Sequence, residues 1–286
     1  MSKKVLITAI NSFTGIHLKT ELEKAGYDLF GTTSKTCDIT KKDDIKKVLK
    51  DIRPDYIIHL AGISYAAHGV DTDFYSVNTI GTLNLLDTIV ELKLNPKKIL
   101  LASSATVYGN QGLGVLDESL CPKPANHYGA SKYAMETLAR NYFDKLPIII
   151  TRPFNYTGIG QADHFLIPKI VAHYKENKKT IELGNLDVSR EFNDITYICE
   201  IYKKLLESDC KSEVVNLSSN KAIKLLDIIK MMNEIANYSI KVEVNPAFVR
   251  KDDIVSLSGS TTKLFSLIGE VPQKEFSSLL KTMYKE

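Results

Sequence analysis

The sequence has few cysteines and no pairing pattern among them. Cys37, Cys121, Cys199 and Cys210 are the only four in 286 residues, and none forms a C-x-x-C motif with another. Scattered thiols are typical of proteins in a reducing compartment, whereas a disulfide framework or a zinc site requires regular spacing. The six histidines likewise show no H-E-x-x-H spacing. We therefore expect a cytoplasmic protein that holds no metal.

Long apolar runs and a strong net charge are also absent. A membrane-spanning helix needs roughly 18 apolar residues. The run after the first four residues, MSKK, has only six, which favours a strand over a signal peptide. The net charge of +3 is too small to predict nucleic-acid binding, and the basic residues alternate with acids in helical patterns such as residues 41–50. The protein is therefore predicted to bind neither membranes nor nucleic acids.

What the sequence does contain is an alternation of buried strands and helices. Continuous apolar runs are typical of parallel strands that are covered on both faces. They recur at residues 5–10, 27–31, 55–62, 98–102 and 147–155. Amphipathic patterns lie between them, the longest at residues 78–92. This alternation predicts an α/β fold, a doubly wound parallel Rossmann sheet with right-handed crossovers.

The order of these elements also predicts how the chain is divided. We expect a dinucleotide-binding Rossmann domain over residues 1–155, to which the chain returns at about residues 187–217. A glycine-containing polar loop at residues 156–165 follows the last of the strands. Ligands of open sheets bind at such loops. We therefore expect residues 156–286 to form mainly a smaller, substrate-binding lobe.

The turn after the first strand carries only part of a dinucleotide-binding fingerprint. When the segment is aligned on Gly15, Ala9 and Ser12 stand where the first two glycines are expected. Glycine at those positions allows a tight turn and a close approach of the backbone to a pyrophosphate. Because both positions carry a side chain here, this motif alone does not decide whether a dinucleotide binds.

The end of the second strand bears on which dinucleotide would bind. Folds that select NAD place an acid there to bind the ribose 2′-hydroxyl. Residues 32–35 read TTSK, with no acid and with Lys35. This pattern tolerates a 2′-phosphate and favours NADP, although a plain polar turn would read the same way.

Tyr128 and Lys132 form the clearest chemical motif. Residues four apart lie on one face of a helix, so the ammonium of Lys132 is expected to lower the pKa of the phenol from about 10. Ser104 or Thr106, at the end of a preceding strand, could share a carbonyl oxygen with that phenol. Tyr174 and Lys178 have the same spacing but lie in a polar run without such a strand. The first pair therefore predicts a hydride-transfer site.

Five stretches together resemble the extended short-chain dehydrogenase family of nucleotide-sugar epimerases, dehydratases and reductases. They are HLAG at 59–62, VNTIGT at 77–82, SSATVYG at 103–109, YGASK at 128–132 and RPFN at 152–155. Residues 151–161 (TRPFNYTGIGQ), 184–192 (GNLDVSREF) and 245–264 look most like GDP-4-keto-6-deoxymannose reductases and related 4-keto-6-deoxyhexose reductases. The resemblance implies reduction of the C4 ketone of such a nucleotide sugar with NADP(H) or NAD(H).

The resemblance also implies roles for individual residues. Tyr128 would protonate the C4 oxygen, Lys132 would lower its pKa and hold the nicotinamide ribose, and Ser104, or Thr106, would bind the same oxygen. The residues expected to bind the cofactor are Thr8, Ser12, Phe13, Thr14, Gly15, Thr33, Ser34, Lys35, Asp38, Ile39, Leu60, Ala61, Gly62, Asn78, Ala102, Tyr128, Lys132, Pro153 and Phe154. Within this set Asp38 and Ile39 would face the adenine, and Pro153 and Phe154 would wall the nicotinamide. The residues expected to bind the substrate are Ser64, Ser104, Asn155, Gln161, Arg190 and Arg250.

Two alternatives stay open, and one is disfavoured. The 4,6-dehydratases of the family carry an Asp-Glu pair directly after the catalytic hydroxyl, where this chain has Ala105 and Thr106. A 4-epimerase with tightly bound NAD shares the Ser–Tyr–Lys set, and a non-catalytic family member that binds a nucleotide sugar or dinucleotide would explain Ala9 and Ser12. As in the family, a homodimer through a helix bundle is expected.

Overall fold

The computed structural model describes residues 3–64, 70–112, 114–249 and 256–286. The strands there are β1 (Lys4–Thr8), β2 (Asp28–Thr32), β3 (Tyr56–His59), β4 (Lys98–Ala102), β5 (Val115–Leu116), β6 (Ile148–Pro153), β7 (Tyr156–Thr157), β8 (Thr180–Leu183), β9 (Ser189–Glu191), β10 (Asn193–Asp194), β11 (Glu213–Leu217), β12 (Ala222–Lys224), β13 (Lys241–Val244) and β14 (Ser256–Gly259). The α-helices are α1 (Phe13–Lys24), α2 (Lys42–Ile52), α3 (Asp71–Asp73), α4 (Gly81–Glu91), α5 (His127–Ala139), α6 (Leu166–Lys175), α7 (Ile195–Glu207), α8 (Leu225–Ala236), α9 (Thr262–Ile268) and α10 (Phe276–Lys285).

A six-stranded parallel sheet forms the centre of the fold, in the order β11-β6-β4-β3-β1-β2. The chain runs outward from β1 to β2 and then returns to β3 on the other side of β1. At such a reversal, ligands bind in the crevice beyond the carboxyl ends of the strands. The predicted α/β fold with a doubly wound Rossmann sheet is confirmed.

Apolar side chains of each strand alternate between the two faces of this sheet. Ile7 packs in one core with Leu18, beneath α1 and α7. Leu6 points to the opposite core, which contains Leu49 of α2 together with residues of α4 and α5. Because both faces are covered, each strand is apolar throughout, and this explains the continuous runs in the sequence.

A third core lies away from the sheet and contains Ile170, Tyr174, Ile228, Met232 and Leu280, from α6, α8 and α10. A four-stranded sheet in the order β12-β9-β14-β5 and the pair β13-β8 accompany it. This separate core supports the division into a Rossmann domain and a substrate lobe, which stays a prediction. Among the described helices, none combines the length and the apolarity that crossing a bilayer requires.

More segments cross between the predicted Rossmann domain and the predicted substrate lobe than the sequence indicates. α7 and β11 return to the sheet within the expected region, since β11 pairs with β6. Leu264 of α9 and Val271 also pack under the sheet, although they lie near the end of the chain. Conversely, β5 pairs with β14 beside the lobe. A two-residue strand and a seven-residue helix give too weak a periodic signal to be found from sequence.

The helix expected over residues 78–92 is divided. A π-helix, Phe74–Ile80, leads directly into α4. π-helical segments are rare and occur frequently at functional sites. This one contains Asn78, whose side chain is fully buried.

Glu191 ties the lobe to the central sheet through a buried carboxylate. It accepts hydrogen bonds from the backbone N–H of Gly259 (2.7 Å), from the backbone N–H of Ser219 (2.9 Å) and from the side-chain amide of Asn193 (3.0 Å). Burial raises the pKa of the Glu191 carboxyl, and the N–H donors oppose that effect. The ends of β9, β11 and β14 therefore meet at one acid.

Replacing Glu191 by Gln is expected to lower the free energy of unfolding by roughly 2–4 kcal/mol. The new amide group faces an N–H donor, and hydrogen bonds to a charged group contribute about 1.5–3 kcal/mol each. Urea denaturation followed by circular dichroism measures the change. Glu243→Gln, which removes an exposed partner of Lys241, is the matched control and should change little. Equal effects of the two variants would contradict this account of Glu191.

Candidate active site

The amino end of α5 presents Tyr128 and Lys132 at the carboxyl edge of the sheet. The side-chain oxygen of Asn126 accepts the N–H of Gly129 at 2.8 Å and caps the helix. Such a cap satisfies one of the free donors of the first turn and fixes where the helix starts. The predicted helix is thereby placed beside the turn at Ala105–Tyr108, which follows β4.

The hydroxyl of Ser104 is fixed as a hydrogen-bond donor. Thr106 donates to Ser104 Oγ twice, through its hydroxyl (2.9 Å) and through its backbone N–H (3.2 Å). A hydroxyl has two acceptor positions and one proton. With both positions occupied, Ser104 can only give its own proton to another group. Thr106 thus lies behind Ser104 and supports it.

Burial raises the pKa of the Tyr128 phenol above its ordinary value, and the neighbouring hydroxyl of Ser104 partly opposes that shift. The expected lowering by Lys132 is not found in the protein alone. Lys132 Nζ instead donates to the carbonyl oxygen of Ala102 at 2.8 Å. Helical spacing placed the two residues on one face but did not predict this carbonyl.

Lys132 lies in a buried site lined by predicted cofactor residues. Its side chain is only 6% exposed, and burial lowers the pKa of its ammonium to about 8. A Cβ atom added to Gly62 would lie 3.1 Å from Lys132 Nζ and 2.7 Å from Asn78 Oδ1. The amide of Asn78 is fixed in turn, since it accepts from the N–H of Ile63 at 2.8 Å. The structure therefore brings Gly62, Asn78, Ala102 and Lys132 together.

The turn between β1 and α1 forms without its first two glycines. Ala9 adopts a left-handed conformation, with φ at +54°. Ser12 caps α1 by accepting the N–H of Gly15 at 3.1 Å, and its own N–H donates to the carbonyl of Ala9 at 2.9 Å. A Cβ at Gly15 would lie 2.5 Å from that carbonyl oxygen, so the third glycine is required. The turn is as tight as the fingerprint demands, at the expense of strain at Ala9.

The same turn fits the pyrophosphate of a dinucleotide. In the first turn of α1 the N–H groups of Phe13 and Thr14 have no acceptor within the helix. Such groups, together with the helix dipole, bind phosphates. Ser12 has already taken the N–H of Gly15. The site therefore offers fewer backbone donors than one with glycine at position 12.

His59 holds the ends of β1 and β3 in register. The hydroxyl of Thr82 donates to the carbonyl of Asn78 (2.8 Å), so it accepts from Nε2 of His59 (3.1 Å). Nδ1 is then an acceptor for the hydroxyl of Thr8 (3.0 Å), which itself receives the N–H groups of Leu60 and Ala61. Burial and the charge of Lys132 lower the pKa of His59 to about 3. The imidazole is therefore neutral and serves the fold, although sequence alone did not reveal this arrangement.

Some of the residues predicted to bind the adenine and the 2′-phosphate make hydrogen bonds or packing contacts within the protein. Asp38 accepts the N–H (3.0 Å) and the hydroxyl (2.7 Å) of Thr40, and this keeps its pKa low. Ile39 is buried against the start of α4. Thr33 closes a turn with Thr36, whereas Ser34 and Lys35 are exposed. Lys35 is thus the predicted residue most accessible to a 2′-phosphate.

Phe154 and Gln161 both have partners within the chain. Phe154 is 1% exposed and packs on Tyr108 in a core, with ring centroids 6.3 Å apart, so its role at a nicotinamide stays a prediction that its burial disfavours. Gln161 accepts from the hydroxyl of Thr157 (2.7 Å) and donates to the carbonyl of Tyr156 (3.2 Å). Its amide therefore closes its own loop. Pro153, which is half-buried, stays a candidate for the nicotinamide wall.

The structure shows few contacts for the residues predicted to bind the substrate. Ser64 and Asn155 are exposed beyond the ends of β3 and β6. Arg190 lies on β9, and its Nη1 donates to the carbonyl of Ser189 at 2.8 Å. Arg250 lies outside the described residues. A diphosphate site formed by Asn155 and the two arginines therefore stays a prediction.

Sequence reasoning missed Tyr156. Its hydroxyl lies 2.7 Å from Thr14 Oγ1, and its ring stacks on Phe13 at 6.1 Å. Burial raises the pKa of the Tyr156 phenol to about 12. Tyr156 thus covers the start of α1 from the loop that follows β6. Only the three-dimensional proximity of two distant segments reveals it.

The geometry can be compared with known proteins. The family model described as GDP-mannose 4,6 dehydratase matches residues 31–283. A GDP-6-deoxy-D-talose 4-dehydrogenase of Aggregatibacter actinomycetemcomitans is 37% identical over 287 residues, covering 99% of this chain and 97% of the relative. A GDP-6-deoxy-D-mannose reductase of Pseudomonas aeruginosa is 28% identical, covering 100% and 97%. The structure of RMD from the same organism complexed with NADPH superposes with a TM-score of 0.89 at 27% identity, covering 100% of this chain and 97% of that one.

Replacing Ala9 by Gly is expected to raise the free energy of unfolding by roughly 0.5–1 kcal/mol. A left-handed conformation costs an L-residue about 1–2 kcal/mol, and the greater freedom of glycine in the unfolded chain offsets about 0.4–1 kcal/mol of that gain. Urea denaturation measures the difference. Ala172→Gly, inside α6, is the control and should destabilise by about 1 kcal/mol. A loss of stability in both variants would show that Ala9 is not strained.

Proposed function

The chain belongs to the GDP-mannose 4,6-dehydratase family of extended short-chain dehydrogenases, and from this premise we propose that it interconverts the C4 ketone and C4 alcohol of a GDP-6-deoxyhexose. It is an NAD(P)-dependent oxidoreductase that acts on a nucleotide sugar. The observation that carries the finer proposal is the hydroxyl of Ser104, which has to donate, beside the buried phenol of Tyr128.

In the direction of reduction, Tyr128 gives its phenolic proton to the oxygen at C4. Burial keeps the phenol protonated at neutral pH, which suits a proton donor. Ser104 donates a hydrogen bond to the same oxygen and stabilises the charge that develops there. A bound nicotinamide would supply the hydride. Lys132, one helical turn further along α5 and 2.8 Å from the Ala102 carbonyl, carries the positive charge that we propose balances the phenolate left after proton transfer.

The turn after Ser104 argues against dehydration. Family dehydratases need an acid and a base directly after the catalytic hydroxyl, and this chain has Ala105, which is buried, and Thr106. The proton of the Thr106 hydroxyl is given to Ser104. Neither side chain can remove a proton from the sugar, so elimination lacks its base.

The substrate and cofactor follow from two further features. The two relatives that cover 99% and 100% of this chain are named for GDP sugars, and the one with the higher identity is named for 6-deoxytalose, which favours that configuration at C4. A reductase has to exchange its cofactor in every cycle. The reduced set of N–H donors at Ser12 suits exchange better than permanent binding, and the exposed Lys35 favours NADP(H).

Two expectations stay predictions. α4 and α5 pack side by side, and Ile80 and Val90 beside them are exposed, which supports a helix-bundle homodimer. The location in the cytoplasm rests on the scattered thiols alone.

The deciding experiment mixes the protein with GDP- or dTDP-4-keto-6-deoxyhexose, each with NADPH or NADH, and follows the absorbance of the reduced nicotinamide. We expect the fastest loss with the GDP sugar and NADPH, and a GDP-6-deoxytalose product by NMR. A product epimerised at C4, formed from a non-keto sugar nucleotide and NAD, would support the epimerase instead. Cofactor binding without turnover in any pairing would support the non-catalytic alternative.

Tyr128→Phe is expected to lower kcat by roughly 10²–10⁴-fold, because it removes the proton that C4 oxygen receives. NADPH affinity, measured by fluorescence titration, should stay close to that of the wild type. Tyr133→Phe, on the same helix but outside the site, is the matched control and should retain activity. A Tyr128→Phe enzyme as fast as the wild type would refute this mechanism.

A further inference from the structure

A fully buried ion pair lies directly behind the site. Arg152 of β6 donates through Nε to Glu136 Oε1 (2.9 Å) and through Nη2 to Glu136 Oε2 (2.6 Å). The two side chains are 1% and 0% exposed. The hydroxyl of Ser103 donates to the same carboxylate at 2.5 Å. One carboxylate therefore joins β4, α5 and β6.

Each member of this cluster is next to a residue of the site. Ser103 precedes Ser104, Arg152 precedes Pro153, and Glu136 follows Lys132 by one helical turn. The guanidinium of Arg152 also lies over the ring of Tyr108, 4.8 Å from its centroid, at the end of the turn that contains Thr106. A shift of the Arg152–Glu136 pair would therefore move β4, α5 and β6, the elements that carry the residues of the site.

Stability alone gives no reason for such a pair. Taking two charges out of water costs about as much as their attraction returns, and apolar replacements are often as stable. The charge of Glu136 has another neighbour, however, because it opposes the effect of burial on Lys132. Among the other groups that face Lys132, His59 of β3 is neutral, and Ala102 of β4 offers a carbonyl. Tyr128, on the same helix, is protonated.

We propose that Glu136 is a positioning residue for the reduction, whose carboxylate supplies the negative charge that Lys132 needs and fixes the end of β4 that carries Ser104. Arg152 and Ser103 hold that carboxylate in place. The proposal rests on the function proposed above. It means that the reaction depends on a charge one helical turn away from any group that touches the substrate.

The sign of the pH effect follows from Lys132. In the proposed function the ammonium balances the phenolate left by proton transfer, so activity should fall as pH rises through the pKa of Lys132, which is about 8. Without the charge of Glu136 the ammonium loses its proton more easily. The alkaline limb of the pH profile of kcat then moves to lower pH.

The test uses a variant that removes both charges, Glu136→Gln with Arg152→Gln, because Glu136→Gln alone would leave Arg152 buried without a partner. In the folded variant, the alkaline limb should move to lower pH, by less than the loss of Glu136 alone would cause, because the opposing positive charge of Arg152 is lost as well. The pKa of Lys132, read from the ¹³Cε chemical shift that disappears in Lys132→Met, should fall by the same amount. Glu200→Gln with Lys203→Gln, a less buried pair on α7, is the control and should leave both unchanged.

Ser103→Ala provides a second measurement that keeps both charges. It should lower kcat roughly 3- to 10-fold with the alkaline limb unchanged, because the end of β4 is less well held. An unchanged Lys132 titration in the folded double variant would overturn the charge role, and an unchanged kcat in Ser103→Ala would overturn the positioning role. The Lys132 titration needs no substrate. A shift there in a protein without turnover would support the charge role of Glu136 while refuting the proposed function.

Discussion

The structure depends on one constraint: a parallel sheet covered on both faces has to place its polar chemistry at the carboxyl ends of its strands. Both faces of the central strands are occupied by apolar side chains from the helices. Thr8, Gly62, Ser104 and Pro153 therefore stand at or just beyond strand ends. The reversal of strand order between β2 and β3 opens the crevice in which a dinucleotide can reach them.

Buried polar side chains near this edge have few allowed orientations, because each hydrogen-bond donor needs an acceptor. When each donor is matched with an acceptor, His59 has to carry its proton on Nε2, and the hydroxyl of Ser104 has to act as a donor. The same matching shows why the carboxylate of Glu136 is surrounded by donors from three elements. The network is nevertheless incomplete among the described residues, because Nη1 of the buried Arg152 has no hydrogen-bond partner there.

The sequence predicted what depends on local pattern. It placed β4 at its observed residues, and the spacing of Tyr128 and Lys132 put both on one helix face. It could not predict contacts between distant segments. The carbonyl that binds Lys132 comes from another element, and Phe154 turned into a core that contains Leu257, about a hundred residues later. The partners of Glu136 lie 16 and 33 residues away, beyond the reach of any periodicity.

The family's fold is compatible with several reactions, and two side chains argue against one of them, dehydration. Dehydration requires a base after the catalytic hydroxyl, but the hydroxyl of Thr106 gives its proton to Ser104 and the Ala105 methyl is buried. What is left is a proton donor, a hydrogen-bond donor and a buried ammonium, which the proposed mechanism places around the C4 oxygen. Those groups suffice for moving a proton as hydride is transferred, and they provide nothing for breaking a carbon–oxygen bond. Membership in a dehydratase family is thus consistent with reductase chemistry, because the difference lies in which groups surround Ser104.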